Sequence, residues 1–160
     1  ATASAIRGNL AARGIAVLAQ GVDGSPPQLM RRFLGDPKSV LLGTSSFWEG
    51  VDLAGESLKL LIVARLPFGV PSEPVFAARS ELYDDPFNGY AVPQAILRLR
   101  QGFGRLIRTK LDRGVAVILD RRVVSRRYGK SFISALPPVG FKPCDLRQLP
   151  DEITSWLASH

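Results

Sequence analysis

Cysteine and histidine are almost absent from this sequence. The single cysteine, Cys144, excludes an intramolecular disulfide and any all-cysteine metal cluster within the chain, and it suits a reducing compartment. The single histidine, His160, is the last residue, so histidine-based catalysis is not expected. No apolar run approaches the ~20 residues that a membrane-spanning helix needs, and no secretory leader is legible. The opening Ala1-Thr2-Ala3-Ser4 has neither Met nor a leader, and we expect a piece of a longer protein. Self-contained nucleotide motifs are missing too. Gly129-Lys130-Ser131 resembles the end of a phosphate loop, but Val124 stands where its first glycine must be. Gly102-Phe103-Gly104 lacks the third glycine of a dinucleotide fingerprint. No Asp-Glu pair closes an apolar strand, where it would hold Mg²⁺ and activate water. The chain is therefore not expected to cradle ATP alone.

What is present is a globular composition with an excess of cations. The 160 residues are 46% hydrophobic, which predicts one domain with a proper core. Lysine and arginine number 21 against 14 acidic residues, a net +7 that favours an acidic partner such as nucleic acid or nucleotide. Short apolar runs at Ile15–Ala19, Ser39–Leu42, Leu58–Ala64 and Val115–Leu119 read as buried strands. Helical patterns are read at Ala3–Arg13, Gln28–Leu34, Val75–Leu82, Gln94–Arg108, Ser131–Leu136 and Asp151–Ala158, with turn-rich stretches at Gly21–Pro27, Pro67–Pro74 and Asp84–Gly89. This alternation predicts an α/β fold with a mainly parallel sheet covered on both faces. Ligands of such sheets sit beyond the carboxyl ends of the strands. Thr44–Asp52, Leu66–Pro71 and Asp120–Arg122 occupy such positions.

The helix after Pro93 organises the chain. At about 100° per residue, Arg98, Gln101, Arg105 and Arg108 fall on one face, with Ile96, Leu99, Phe103 and Leu106 roughly opposite. A stripe of guanidiniums suits phosphate, whose geometry their planar forks match; a solvated basic face is the alternative. Gly102 and Gly104 each cost a helix about 1 kcal/mol against Ala, so close backbone packing or ligand approach is expected there. Gly43-Thr44-Ser45-Ser46 offers hydroxyls and flexible amides to a phosphate, and Asp52 an acceptor for a sugar hydroxyl or guanidinium. Phe47 and Trp48 are read as wedges holding this loop to the core, with base stacking as the alternative.

These residues resemble a known family. Gly43-Thr44-Ser45-Ser46-Phe47-Trp48-Glu49-Gly50-Val51-Asp52 looks like motif V of the DinG/XPD-type helicases of superfamily 2. Gln101-Gly102-Phe103-Gly104-Arg105-Leu106-Ile107-Arg108 resembles their motif VI, Gln-x-x-Gly-Arg-x-x-Arg. Leu66-Pro67-Phe68-x-x-Pro71, Leu119-Asp120-x-Arg122 and Tyr128-Gly129-Lys130 look like the bacterial DinG-like branch, although Arg65 stands where that branch more often has Lys. The resemblance runs from about Ala1 to Pro138, and leaves Val139–His160 without a motif.

The resemblance implies the second, RecA-like three-layer α/β domain of an ATP-dependent DNA helicase, covering residues 1–160 as one domain. The first, N-terminal RecA-like domain would carry the phosphate loop, bind ATP and Mg²⁺, and in many members sit with an iron–sulfur cluster, none of it in this chain. By the same resemblance, Arg105 and Arg108 match the arginines that reach the γ-phosphate of ATP, and Gln101 the glutamine near the attacking water. Gly50 and Asp52 match positions near the nucleotide sugar, and Thr44 and Ser46 positions facing the single-stranded DNA backbone. A bacterial cytoplasmic, nucleoid-associated protein of DNA repair or replication is implied. The rival expectation is a non-enzymatic RecA-like module that binds single-stranded nucleic acid or a protein partner.

Overall fold

In a computed structural model, residues 2–44, 47, 58–109 and 111–159 are described. The chain divides into two compact units, Ala1–Ser57 and Leu58–His160. In the first, helix α1 (Thr2–Ala11) leads to strand β1 (Ala16–Ala19), helix α2 (Pro26–Gly35) and strand β2 (Ser39–Leu42). The two strands pair in parallel, with Ala16 opposite Ser39 and Ala19 opposite Leu42. Parallel neighbours need a crossover, and α2 supplies it. This helix starts two residues before the periodicity predicts, because Pro26 and Pro27 are compatible with a first turn whose N–H groups have no intrahelical acceptor. Ser25 precedes them, and its N–H donates to Gln28 Oε1 at 2.9 Å, so a polar pair closes the helix start. Leu18 and Leu29 are fully buried between strand and helix, each side chain contributing about 2 kcal/mol by the usual burial scale.

The second unit contains β3 (Leu60–Val63), α3 (Pro74–Ser80), a π-helical turn (Phe87–Ala91), α4 (Val92–Leu106), β4 (Val115–Ile118), α5 (Arg122–Ser125), α6 (Gly129–Ser134) and α7 (Leu149–Ser159). Strands β3 and β4 are also parallel, with Leu60 opposite Val115 and Val63 opposite Ile118. Both sheets are thus parallel and helix-covered, as the alternating pattern predicts, and both are small, with two strands each among the described residues. Helix α4 packs on both β3 and β4.

Two features of α4 differ from the sequence expectation. First, helical structure begins before Pro93, in the stretch read as a turn-rich link. Proline has no N–H to return to a carbonyl one turn back, and the wider π turn precedes it, with the Val92 N–H reaching the Phe87 carbonyl. The Asp85 carboxylate ties down this start, accepting from the Asn88 backbone at 3.0 Å and its amide nitrogen at 2.6 Å. These bonds hold the Asp85 carboxyl below its ordinary range. Second, α4 stops at Leu106, and Ile107 is extended at φ −124°, ψ 109°. Arg108 therefore lies beyond the helix, and the predicted four-residue stripe loses its last member. The buried face comprises Val92, Ala95, Leu99, Gly102, Phe103 and Leu106, with Ile96 only half-buried.

Gly102 is buried, as close backbone packing requires, but a Cβ added at Gly104 meets nothing within 4 Å. Packing therefore does not explain Gly104. Gly104→Ala is expected to stabilise the chain by roughly 0.5–1 kcal/mol, the helix cost of glycine. Urea unfolding of the two forms checks it, and an unchanged or lowered midpoint contradicts it.

Candidate functional site

Strand-end loops carry the candidate residues, and each unit holds its own loop with a side chain from the neighbouring strand end. In the first unit, Gln20 directly follows β1 and Thr44 lies two residues beyond β2. The Thr44 N–H donates to Gln20 Oε1 at 2.9 Å, and its hydroxyl is 3.1 Å from the same oxygen. A neutral amide oxygen thus fixes the start of the predicted phosphate-facing loop while Thr44 stays exposed. Phe47 turns inward: it is buried, its N–H donates to the Thr44 carbonyl at 3.0 Å, and its Cβ lies so close to Gly43 that any side chain there would sit 2.9 Å from it. Phe47 is therefore a wedge, and the base-stacking alternative fails for it. Ser46, Gly50 and Asp52, together with Trp48, lie outside the described residues.

In the second unit, Gln101 and Arg105 are one turn apart on α4, which puts them on one face. Gln101 is exposed and Arg105 half-buried. Arg108 is exposed just past the helix end. Its backbone N–H donates to the Asp112 carboxylate at 2.7 Å, and Thr109 donates to the same oxygen at 2.7 Å. These backbone bonds, Thr109 first, lower the Asp112 pKa. A tight carboxylate-bound turn therefore sets where the chain carries Arg108 after α4. Arg98, the stripe's first member, does something else. It is half-buried, and a long 3.5 Å hydrogen bond takes its guanidinium to the Pro67 carbonyl. It thus lies against the Leu66–Pro71 loop, unlike the exposed Gln101.

The residues quoted for the DinG-like branch come together in one knot that spacing alone does not reveal. Asp120, two residues past β4, is buried and accepts the Leu66 N–H at 2.9 Å across 54 residues of sequence. Arg122 closes on the same carboxylate with Nε at 3.0 Å and Nη2 at 2.6 Å, and its own backbone N–H adds a bond at 3.0 Å. The Arg122 bonds, followed by those from backbone N–H groups, outweigh burial and hold the Asp120 carboxyl well below the usual range. The Arg122 guanidinium also lies over the Phe68 ring, 5.3 Å from its centroid. Phe68 meets Tyr128 edge-on at 5.7 Å and stacks on Phe87 at 5.7 Å. Gly129 permits the fold-back of α6 on α5, since a Cβ there would sit 2.1 Å from the Val123 carbonyl oxygen.

Parallel strand pairs, helix crossovers and strand-end loops of this kind define an α/β, RecA-like domain. The sequence profile of the helicase C-terminal domain matches residues 1–139, spanning both units, and the chain belongs to that family. A Bacillus subtilis protein named 3'-5' exonuclease DinG is 44% identical over 137 residues, 82% of this chain and 15% of that protein. The ATP-dependent DNA helicase YoaA of Haemophilus influenzae is 46% identical over 127 residues, 77% of this chain and 20% of its own length. The ATP-dependent helicase DinG of Mycobacterium tuberculosis is 41% identical over 126 residues, 76% of this chain and 19% of its own. The chain therefore spans about a fifth or less of these relatives. Among the described residues, no helix is long and apolar enough to cross a membrane, and no group of three or more His, Cys, Asp or Glu gathers to hold a metal.

Removing the Asp120 carboxylate strands the Leu66 N–H and a half-exposed Arg122. Asp120→Ala is expected to cost about 2–3 kcal/mol, below the 3–5 of a fully buried pair because Arg122 still reaches water. Because the folded pKa is depressed, this contribution is complete above the unfolded carboxylate pKa of about 3.9 and fades as pH falls below it. Urea midpoints at pH 7 and pH 3 check both statements: the gap between parent and variant should narrow at pH 3.

Proposed function

We propose that this chain is the second motor domain of an ATP-dependent DNA helicase, and that both units serve that one domain. One observation carries the reading: Gln101 and Arg105 share a face of α4, with Arg108 directly beyond its end, in the motif VI order. Guanidiniums fit a polyphosphate, with permanent charge and donors in a fork. In the same reading, ATP and Mg²⁺ are held mainly by the N-terminal RecA-like domain of the same protein.

In this reading Arg105 and Arg108 are arginine fingers. They hold positive charge where negative charge grows on the γ-phosphate, a device worth roughly 10³–10⁵ in rate elsewhere. Bound ATP supplies the phosphoanhydride whose hydrolysis drives the cycle. The half-burial of Arg105 leaves it fewer rotamers than a side chain in free solvent, which lowers the cost of placing it against a phosphate. Gln101, one turn earlier, orients the attacking water through its amide. Gly50 and Asp52 line the sugar side of the nucleotide. Thr44 and Ser46 contact the single-stranded DNA backbone, Thr44 with its position set by Gln20. The setting is bacterial, cytoplasmic and nucleoid-associated, in DNA repair or replication. The relatives named DinG and YoaA helicases support this reading, and the net charge of +7 suits a polyanionic partner. An iron–sulfur cluster would belong to the rest of the protein.

In the full-length protein, Arg105→Ala is expected to lower single-strand-stimulated ATP hydrolysis at least about 10²-fold, on the arginine-finger scale, with circular dichroism unchanged. Near-normal turnover would remove Arg105 from the mechanism. The isolated chain, lacking a nucleotide-bearing partner domain, is expected to hydrolyse no ATP above a buffer blank in a phosphate-release assay. Turnover by that chain would show that it needs no second half.

A further inference from the structure

We propose that the α5–α6 corner of the second unit is a separate seat for single-stranded DNA, gripping its backbone and stacking one base. The inference rests on the nucleic-acid reading above but uses none of its residues. From Arg121 to Lys130 the sequence places Arg121, Arg122, Arg126, Arg127 and Lys130, and no acidic residue occurs between Asp120 and Asp145. Only Arg122 is neutralised, by Asp120. Arg121, Arg126, Arg127 and Lys130 are all exposed, and among the described residues none forms an ion pair.

The fold concentrates these cations rather than spreading them. The Arg126 N–H donates to the Arg122 carbonyl at 3.1 Å and the Gly129 N–H to the Arg126 carbonyl at 2.9 Å, so Arg126 and Arg127 sit in the tight bend between the two short helices. Four exposed cations on one ten-residue stretch suit a polyanion. The bend also adjoins an aromatic surface. Tyr128 meets the Phe87 ring at 5.4 Å, and Phe87 is 44% exposed. Phe87 stacks on Phe68 yet keeps that exposed surface. Exposed arginines in the bend, with such a ring one contact away through Tyr128, fit a single strand, whose phosphates pair with guanidinium and whose unpaired bases can stack. An acidic protein would use the charges but not the ring, and a duplex would keep its bases stacked within itself.

The test uses the full-length protein without ATP and a fluorescein-labelled, mixed-sequence single-stranded oligonucleotide, read by anisotropy across a salt series. Each phosphate contact on a single strand contributes about 0.7 to the slope of log K against log salt. R126A/R127A should therefore weaken binding several-fold at low salt and flatten the slope by about 1.4. R126K/R127K, which keeps the charge, should retain the parent slope. ATP turnover at saturating single strand should match the parent, since these residues lie outside the hydrolytic set. An unchanged affinity and slope in the alanine variant would overturn the proposal. So would an equal loss in the lysine variant, which would point to fold damage. Loss of binding to a polyglutamate probe with oligonucleotide binding intact would overturn it in favour of an acidic protein. Failure of the motor reading is seen separately, as an unaltered protein whose ATP hydrolysis does not respond to single strand.

Discussion

Much of the second unit depends on one buried carboxylate. Asp120 lies two residues past β4, and the end of a parallel strand pair leaves backbone donors beyond the neighbouring strand without ladder partners. Asp120 takes one of them, the Leu66 N–H just past β3, and so fixes the loop that follows. A carboxylate buried at such a position would be costly alone. Arg122 answers that cost from two residues away, and the same guanidinium then covers Phe68. One charge pair thus sets the ends of two strands, the course of the Leu66–Pro71 loop and the packing of Phe68 against Phe87, Tyr128 and Phe132. Arg98 reaches the same loop from α4, its guanidinium 3.5 Å from the Pro67 carbonyl.

How much of this was legible in the sequence follows from the range of each interaction. Strands β1, β2 and β4 were readable within a residue because they are continuous apolar runs, and the middle of α4 because its apolar spacing is helical. Its ends were not. The π turn before Pro93 depends on the Asp85 side chain capping Asn88, in a stretch whose Asp, Pro, Asn and Gly residues otherwise signal a turn. The stop at Leu106 depends on Asp112 capturing the N–H groups of Arg108 and Thr109, a local bond that periodicity does not register. Helix α5 has four residues, too few for any period to show. The Asp120–Leu66 bond spans 54 residues and has no sequence pattern of its own. Of the candidate site, the resemblance named the motif residues, and the structure describes Thr44, Gln101, Arg105 and Arg108 among them. Arg98 belonged to the spacing alone, and its half-burial beside the Pro67 carbonyl is a tertiary feature that spacing does not register.

The two units solve the same strand-end problem with different chemistry, and the difference bears on what each can bind. At Thr44 the staple is Gln20, a neutral amide; a carboxylate there would make the same hydrogen bonds while setting a full negative charge beside a loop proposed to meet DNA phosphate. At Leu66 the staple is a carboxylate, but Arg122 consumes its charge at 2.6 Å. Among the described residues, neither staple therefore sets an uncompensated negative charge at its strand end. The cations are treated in the opposite way. Arg122 is paired inward, whereas Arg121, Arg126, Arg127 and Lys130 around it are left in solvent. A fold that needed only stability would gain by scattering or neutralising these side chains, because an exposed pair adds little and crowded like charges subtract. Keeping the cations outward and cancelling the anions inward is the arrangement expected of a surface that waits for phosphate.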